Sequence, residues 1–123
     1  MSHITKFETK ITNVNMLHDA LDSLKKEGKI DYTWLGQGTE KSYSRTTTGT
    51  HFKLSNWSYP VCVLEDGSIE FDNFNGSWGK PIDLDKVIQR YQELSITKKA
   101  RENGWQVEKV TADNGDVTLR LMQ

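Results

Sequence analysis

Two glycine-centred turns, each set between short apolar runs, constrain this chain more than any other feature. Val61-Cys62-Val63-Leu64 and Ile69-Glu70-Phe71 flank Glu65-Asp66-Gly67-Ser68. Near the end, Trp105, Val107 and Val110 precede Asp113-Asn114-Gly115, and Val117, Leu119 and Leu121 follow on alternate positions. Asp-Gly and Asn-Gly supply the positive φ angles that tight hairpin turns require. Alternation of apolar and polar residues marks strands with one buried face. Connections this short can join only antiparallel neighbours, so two antiparallel hairpins are predicted.

Helical spacing occupies the intervals. Val14, Leu17, Leu21 and Leu24 recur at three, four and three residues and form one apolar stripe. Asn13 or Asn15 can cap this helix, and Gly28 stands where a left-handed C-terminal cap is usual. A second stripe runs through Leu84, Val87, Ile88, Tyr91 and Leu94. Ile82 and Val87 take staple positions around an Asp83 cap. The stripe loses phase over Ser95 to Lys98, which predicts a kink or break there. Ile4 to Thr12 reads as a first strand and Tyr32 to Leu35 as a short one. The segment at about 36–59 is dense in Gly, Ser and Thr near its start and reads as a long loop or an irregular hairpin. The order is strand, helix, irregular region, hairpin, helix, hairpin. It predicts an α+β fold, an antiparallel sheet with two helices packed on one face, ferredoxin-like or related.

Composition bounds the function. At 123 residues the chain fits one domain, residues 1–123, of the usual size of roughly 100–150 residues, and four tryptophans supply bulk for its core. The net charge of −1 and pI near 6.3 create no global field for nucleic acid or anionic lipid. One cysteine, Cys62, allows neither an intramolecular disulfide nor a multi-cysteine metal site. No apolar stretch resembles a signal or a membrane span. A cytoplasmic location is expected, and the sequons at Asn56 and Asn75 are read as chance matches.

Three stretches resemble the hypothetical chloroplast protein thirty-five family of cyanobacteria, plastids, other bacteria and phages. They are Met1-Ser2-His3 with Thr5, Thr9 and Ile11; the run Glu65 to Gly79; and Leu84 to Tyr91 with Lys99 to Trp105. The most specific is the acidic hairpin followed by Asp72-Asn73-Phe74-Asn75-Gly76-Ser77-Trp78-Gly79. Residues 29–59 depart from the family's pattern. The resemblance implies an α+β domain. The family has no assigned activity, so no catalytic residue carries over.

Gly36-Gln37-Gly38-Thr39-Glu40-Lys41-Ser42 fails as a phosphate loop, because Glu40 replaces the glycine that should precede the lysine. Cys62 lies in an apolar run and is expected to be structural. A catalytic pair would need His3, His18 or His51 brought close by folding. The histidines lack zinc-site spacing, and no metal or cofactor is expected. Glu70 and Asp72 share a face of one strand, either as a carboxylate pair or as a solvated outer surface.

Two binding segments remain. Lys41, Arg45, His51 and Lys53, interleaved with Tyr43, Phe52 and Trp57, could hold an anion and stack bases. Asn73, Phe74, Asn75, Ser77 and Trp78 place two aromatics in a polar turn, where Trp78 is either a lid on the core or an anchor for a partner. The leading expectation is a non-enzymatic interaction module, monomeric or a small homo-oligomer, that recognises a protein through Asn73–Gly79. The alternative is a small-ligand or nucleotide-binding protein, of a phage sequestering type, using the basic Lys41–Trp57 segment. An enzyme built on Glu70, Asp72 or Cys62 is the third.

Overall fold

The alternation around Asp66-Gly67 becomes the centre of a sheet. The computed structural model describes residues 4–7, 10–42, 45–72, 76–114 and 116–123. Its elements are β1 (Ile4–Phe7), α1 (Val14–Lys26), β2 (Tyr32–Lys41), β3 (Thr46–Leu54), β4 (Val61–Val63), β5 (Ile69–Asp72), α2 (Pro81–Glu102), β6 (Gln106–Thr111) and β7 (Val117–Met122). The first five strands form one sheet in the order β1-β5-β4-β3-β2, and every neighbouring pair is antiparallel. Strands β2 to β5 make a meander, and the first strand closes on the far side of β5. The fold is α+β, compatible with a ferredoxin-like or related two-layer arrangement.

Register sorts the side chains. Phe52 lies opposite Val61, and Val63 opposite Ile69. These residues, with Leu54 and Phe71, form one core with Leu17, Leu21 and Leu24 of α1 and Leu84, Val87, Ile88 and Tyr91 of α2. The α1 cap is as expected, with Asn13 Oδ1 accepting from the Met16 amide at 3.0 Å. Past its end Gly28 adopts φ 73°, and the Lys29 amide reaches back to the Leu24 carbonyl at 3.0 Å. Toward β2, the His18 ring stacks on Trp34 with centroids 4.4 Å apart.

Two polar contacts lock the helices together. The Tyr91 hydroxyl accepts from the Thr12 and Asn13 amides, both at 3.1 Å, where α1 begins. Arg90, nearly buried, donates to Ser23 Oγ at 2.8 Å and to both carboxylate oxygens of Glu27 at 2.5 and 3.0 Å. Its Nε lies 3.2 Å from Glu93. A bidentate pair of this kind fixes orientation as well as charge.

The structure decides one alternative and corrects two expectations. The stretch at about 36–59, read as a long loop or an irregular hairpin, is the irregular hairpin, paired from Tyr32–Leu54 to Lys41–Thr46. Its irregularity is a bulge between Trp34 and Gly36, where Gly36 takes φ 78°. Threonine is β-branched and suits a pleated strand, and Thr39 and Thr48 meet across the ladder at 3.1 Å. The second helix runs unbroken through Ser95–Lys98. It contains no glycine or internal proline there, so loss of apolar phase removes burial without breaking the backbone ladder. Its N-cap is Lys80 with Pro81 following, while Asp83 lies in the first turn and does not cap. Proline at this position is preset for helical φ. Finally, β6 and β7 form a separate two-stranded sheet, so the C-terminal hairpin does not extend the main one.

Gly49 governs how the long hairpin crosses β4. A Cβ there would stand 2.3 Å from the Val63 carbonyl oxygen and 3.0 Å from Cys62 Sγ. Gly49→Ala is therefore expected to cost about 2–3 kcal/mol by overpacking. Gly38→Ala, with nothing within 4 Å, should be near neutral; urea unfolding compares the two. A second prediction concerns pH. The Arg90 hydrogen bonds hold the Glu27 carboxyl down from 4.5 to about 2, against the opposing effect of burial. Its folded-state value is depressed, so its stabilisation is full above about pH 4.5 and is lost as pH falls toward 2. Arg90→Ala should lower stability by about 1–3 kcal/mol at neutral pH. It should also flatten this acid limb in melts taken from pH 5 to 2.

Candidate functional site

The sheet face turned away from the helices carries an uninterrupted polar row. His51 on β3 lies opposite Cys62 on β4, and Cys62 opposite Glu70 on β5. Side chains alternate along a strand, so all three point outward, as does Asp72. The reading of Glu70 and Asp72 as a solvated surface fails here: Glu70 is 1% exposed, and Asp72 and His51 are 0% exposed. The cover is the distal half of the β2–β3 hairpin. Arg45 at its turn donates to Glu70 Oε2 at 3.0 Å, and Thr47 Oγ1 meets His51 Nε2 at 3.0 Å. The crevice under the hairpin is lined by Glu40, Lys41, Thr47, Pro60, Glu70 and Asp72 and encloses about 10 Å³, room for roughly one water.

This arrangement redistributes the four basic candidates. Lys41 is exposed beside the hairpin turn, and Lys53 is half-buried opposite Thr33. The Arg45 side chain is 48% exposed but its guanidinium is engaged by Glu70. His51 is interior. The four side chains do not converge on one open surface. Phe52 and Trp57, read as base-stacking candidates, belong to the core, and Tyr43 lies outside the described residues.

Folding does bring His51 beside Cys62. Burial pushes the Cys62 thiol up, a Thr47 hydrogen bond pulls it down, and the Glu70 charge adds to the rise while Arg45 opposes it. A nucleophilic cysteine needs the reverse, an accessible thiolate stabilised by positive charge. Among the described residues, no three metal-ligating side chains form a group able to hold an ion.

The aromatic turn has a different character. Asn73, Phe74 and Asn75 lie outside the described residues. Beyond them Ser77 is exposed and Trp78 half-buried. Trp78 meets Tyr59 edge to face, with centroids 5.5 Å apart and planes at 73°. Its carbonyl accepts from the Ser58 amide at 2.7 Å. Gly79 presses on the Trp57 ring so closely that a Cβ would stand 2.3 Å from it. The lid on the core is Trp57, 2% exposed and packed edge-on to Phe71 at 5.5 Å. Sequence reasoning overlooked this role, although the Gly79–Trp57 contact explains why a glycine ends the turn.

A separate open cleft of about 700 Å³ is lined by Ile11, Thr12, Gln37, Thr50, Val63 and Asp66, among others. It brings together backbone, hydroxyl and apolar surface without a convergent set of charges. No family model, curated protein or solved structure matches the chain.

The Cys62 geometry yields a direct prediction. Cys62→Ser should cost about 1–2 kcal/mol, because it buries a second hydroxyl beside Thr47. Native protein should react with iodoacetamide far more slowly than urea-unfolded protein at pH 8. Equal rates would show the thiol to be accessible.

Proposed function

We propose that this chain is a non-enzymatic interaction module that recognises a protein partner through the turn Asn73–Gly79. We further propose that it is a relative of the hypothetical chloroplast protein thirty-five family, on the strength of the Glu65–Gly79 run. The observation that carries the functional reading is the half-buried Tyr59–Trp78 pair, with the Trp78 carbonyl bonded to the Ser58 amide and Gly79 packed on the Trp57 ring. A clamped loop loses little freedom when it binds, so more of the contact energy appears as affinity. Aromatic side chains with one open face supply the apolar anchors that dominate recognition surfaces. Ser77, and Asn73 and Asn75 by their chemistry, offer donors and acceptors around that anchor. Trp57 fills the position of core lid.

The experiment is affinity capture with the tagged protein from its own cells, repeated with variants and paired with thermal melts. Ser77→Ala and Asn75→Ala should reduce recovery of the captured partner while shifting the melting temperature by no more than about 2 °C. Trp78→Ala should abolish recovery with a larger loss of stability, and Tyr59→Ala should weaken capture. Melting temperatures that fall in step with capture for all four variants would make the turn scaffold and overturn the reading.

A further inference from the structure

The C-terminal hairpin leaves apolar surface that the rest of the fold does not cover. Among the described residues, eight large hydrophobic side chains are exposed; Ile96, Trp105, Val110, Leu121 and Met122 lie on this hairpin, at its entrance or on α2 beside it. An open cleft of about 340 Å³ separates Gln89 and Ile96 of α2 from Val117, Leu119 and Leu121 of β7. A two-stranded hairpin is marginal in water and ordinarily needs a third strand or a packed face.

The hydrogen-bond pattern shows what kind of partner the edge accepts. The Ala112 amide donates to the Asp116 carbonyl at 2.8 Å where the hairpin closes. Bonded and non-bonded pairs alternate along an antiparallel ladder. With Val110 opposite Thr118 and Glu108 opposite Arg120, those pairs are the bonded ones. Val117, Leu119 and Leu121 therefore turn their N–H and C=O groups away from β6, and among the described residues β7 pairs with no other strand. The same three side chains line the cleft. An extended strand laid on this edge would satisfy the backbone and widen the apolar face together.

We propose that the strand is β7 of a second copy of this chain, paired antiparallel about a two-fold axis through Thr118. In that register Val117 of one copy faces Leu119 of the other, twice, on the cleft side. On the opposite side Asp116 of each copy faces Arg120 of the other, so two opposite-charge pairs flank the axis. Arg120 is exposed and already lies 3.7 Å from Glu108, which leaves it placed to bridge both carboxylates. Moving the axis to Leu119 sets Asp116 against Met122, and moving it to Arg120 sets two arginines face to face. Self-pairing of β6 about Glu108 or Lys109 opposes like charges, and Lys109 is held by Glu93 of α2 at 3.0 Å. The result is a four-stranded sheet, β6-β7-β7-β6, with an isologous interface.

The test is the mass of the full chain by sedimentation over a wide concentration range, with charge-swap variants. Wild type should show a monomer–dimer equilibrium. Arg120→Asp should weaken association by about tenfold or more, because it places two aspartates opposite each other. Asp116→Arg combined with Arg120→Asp should restore the dimer, which repair of the Glu108 contact alone cannot do. Thr118→Cys supplies an independent readout. Its two copies meet on the axis as a non-bonded pair, with Cα atoms about 4.5 Å apart, inside the disulfide range of roughly 4.4–6.8 Å. It should form a covalent dimer under mild oxidation, whereas Val110→Cys, one strand farther out, should not. A monomer at every concentration overturns the proposal, as does a dimer that Arg120→Asp leaves intact or one that crosslinks equally at both cysteines.

Discussion

At Gly49 the backbone of β3 passes so close to the Val63 carbonyl that any side chain would collide with it, and much of the architecture follows from that crossing. Beyond it β3 parts from β4, and the distal hairpin lies over the outer face of the sheet until Arg45 reaches Glu70. The central strands are consequently covered on both sides, by helices on one and by their own hairpin on the other. A face buried in this way cannot keep solvated carboxylates, so its polar groups need internal partners. Arg45 meets that requirement for Glu70, and Thr47 meets it for one of the two ring nitrogens of His51. The same cover explains why residues with catalytic potential, Cys62 and His51 side by side, form an interior contact without an open active centre.

Legibility in the sequence followed burial. The α1 stripe, its Asn13 cap and the Asp66-Gly67 hairpin were readable because local pattern and final environment agree: an apolar face meets the core and a turn residue supplies the required φ. The β2–β3 hairpin was obscure because its distal half packs on polar residues outside the core. It therefore has no apolar alternation, and its glycines and serines imitate a loop. Glu70 and Asp72 were assigned to the correct face, yet their burial depends on a segment that crosses from two strands away. No window of sequence contains that information. The break expected in α2 has a similar cause. The stripe fades where the helix leaves the main core, but backbone hydrogen bonds and good helix formers such as Lys98, Lys99, Ala100 and Arg101 carry it on to Glu102.

In the candidate turn the sequence shows the aromatics and hides the ring that packs beneath Gly79. Asn73–Gly79 stands out by two aromatics among polar residues, and from sequence Trp78 is either lid or anchor. The structure gives the place of the lid to Trp57. Trp57, placed by a tight turn after β3 in which its amide bonds to the Leu54 carbonyl at 2.9 Å, inserts beneath Gly79 and contacts Phe71. Trp78 is half-buried and meets Tyr59 edge to face. The signal that could have separated them is the glycine: a turn that ends in Gly79 leaves room for a ring from elsewhere in the chain to press on its backbone.

That distribution links packing to recognition. An aromatic loop exposed on a mobile connection would pay a large ordering cost on binding, and one fully buried would have nothing to present. Here the Ser58–Trp78 backbone bond and the Gly79–Trp57 contact hold the turn from below, while Pro81 fixes the first residue of α2. These supports all lie at the C-terminal end of the turn, with a core tryptophan underneath Gly79. The C-terminal hairpin is the opposite case. Its two strands are paired from Gln106–Met122 to Thr111–Val117, yet little of their surface is buried. A loop supported from within and a sheet edge left open outside are the two surfaces where this fold has contact capacity that its own core does not use.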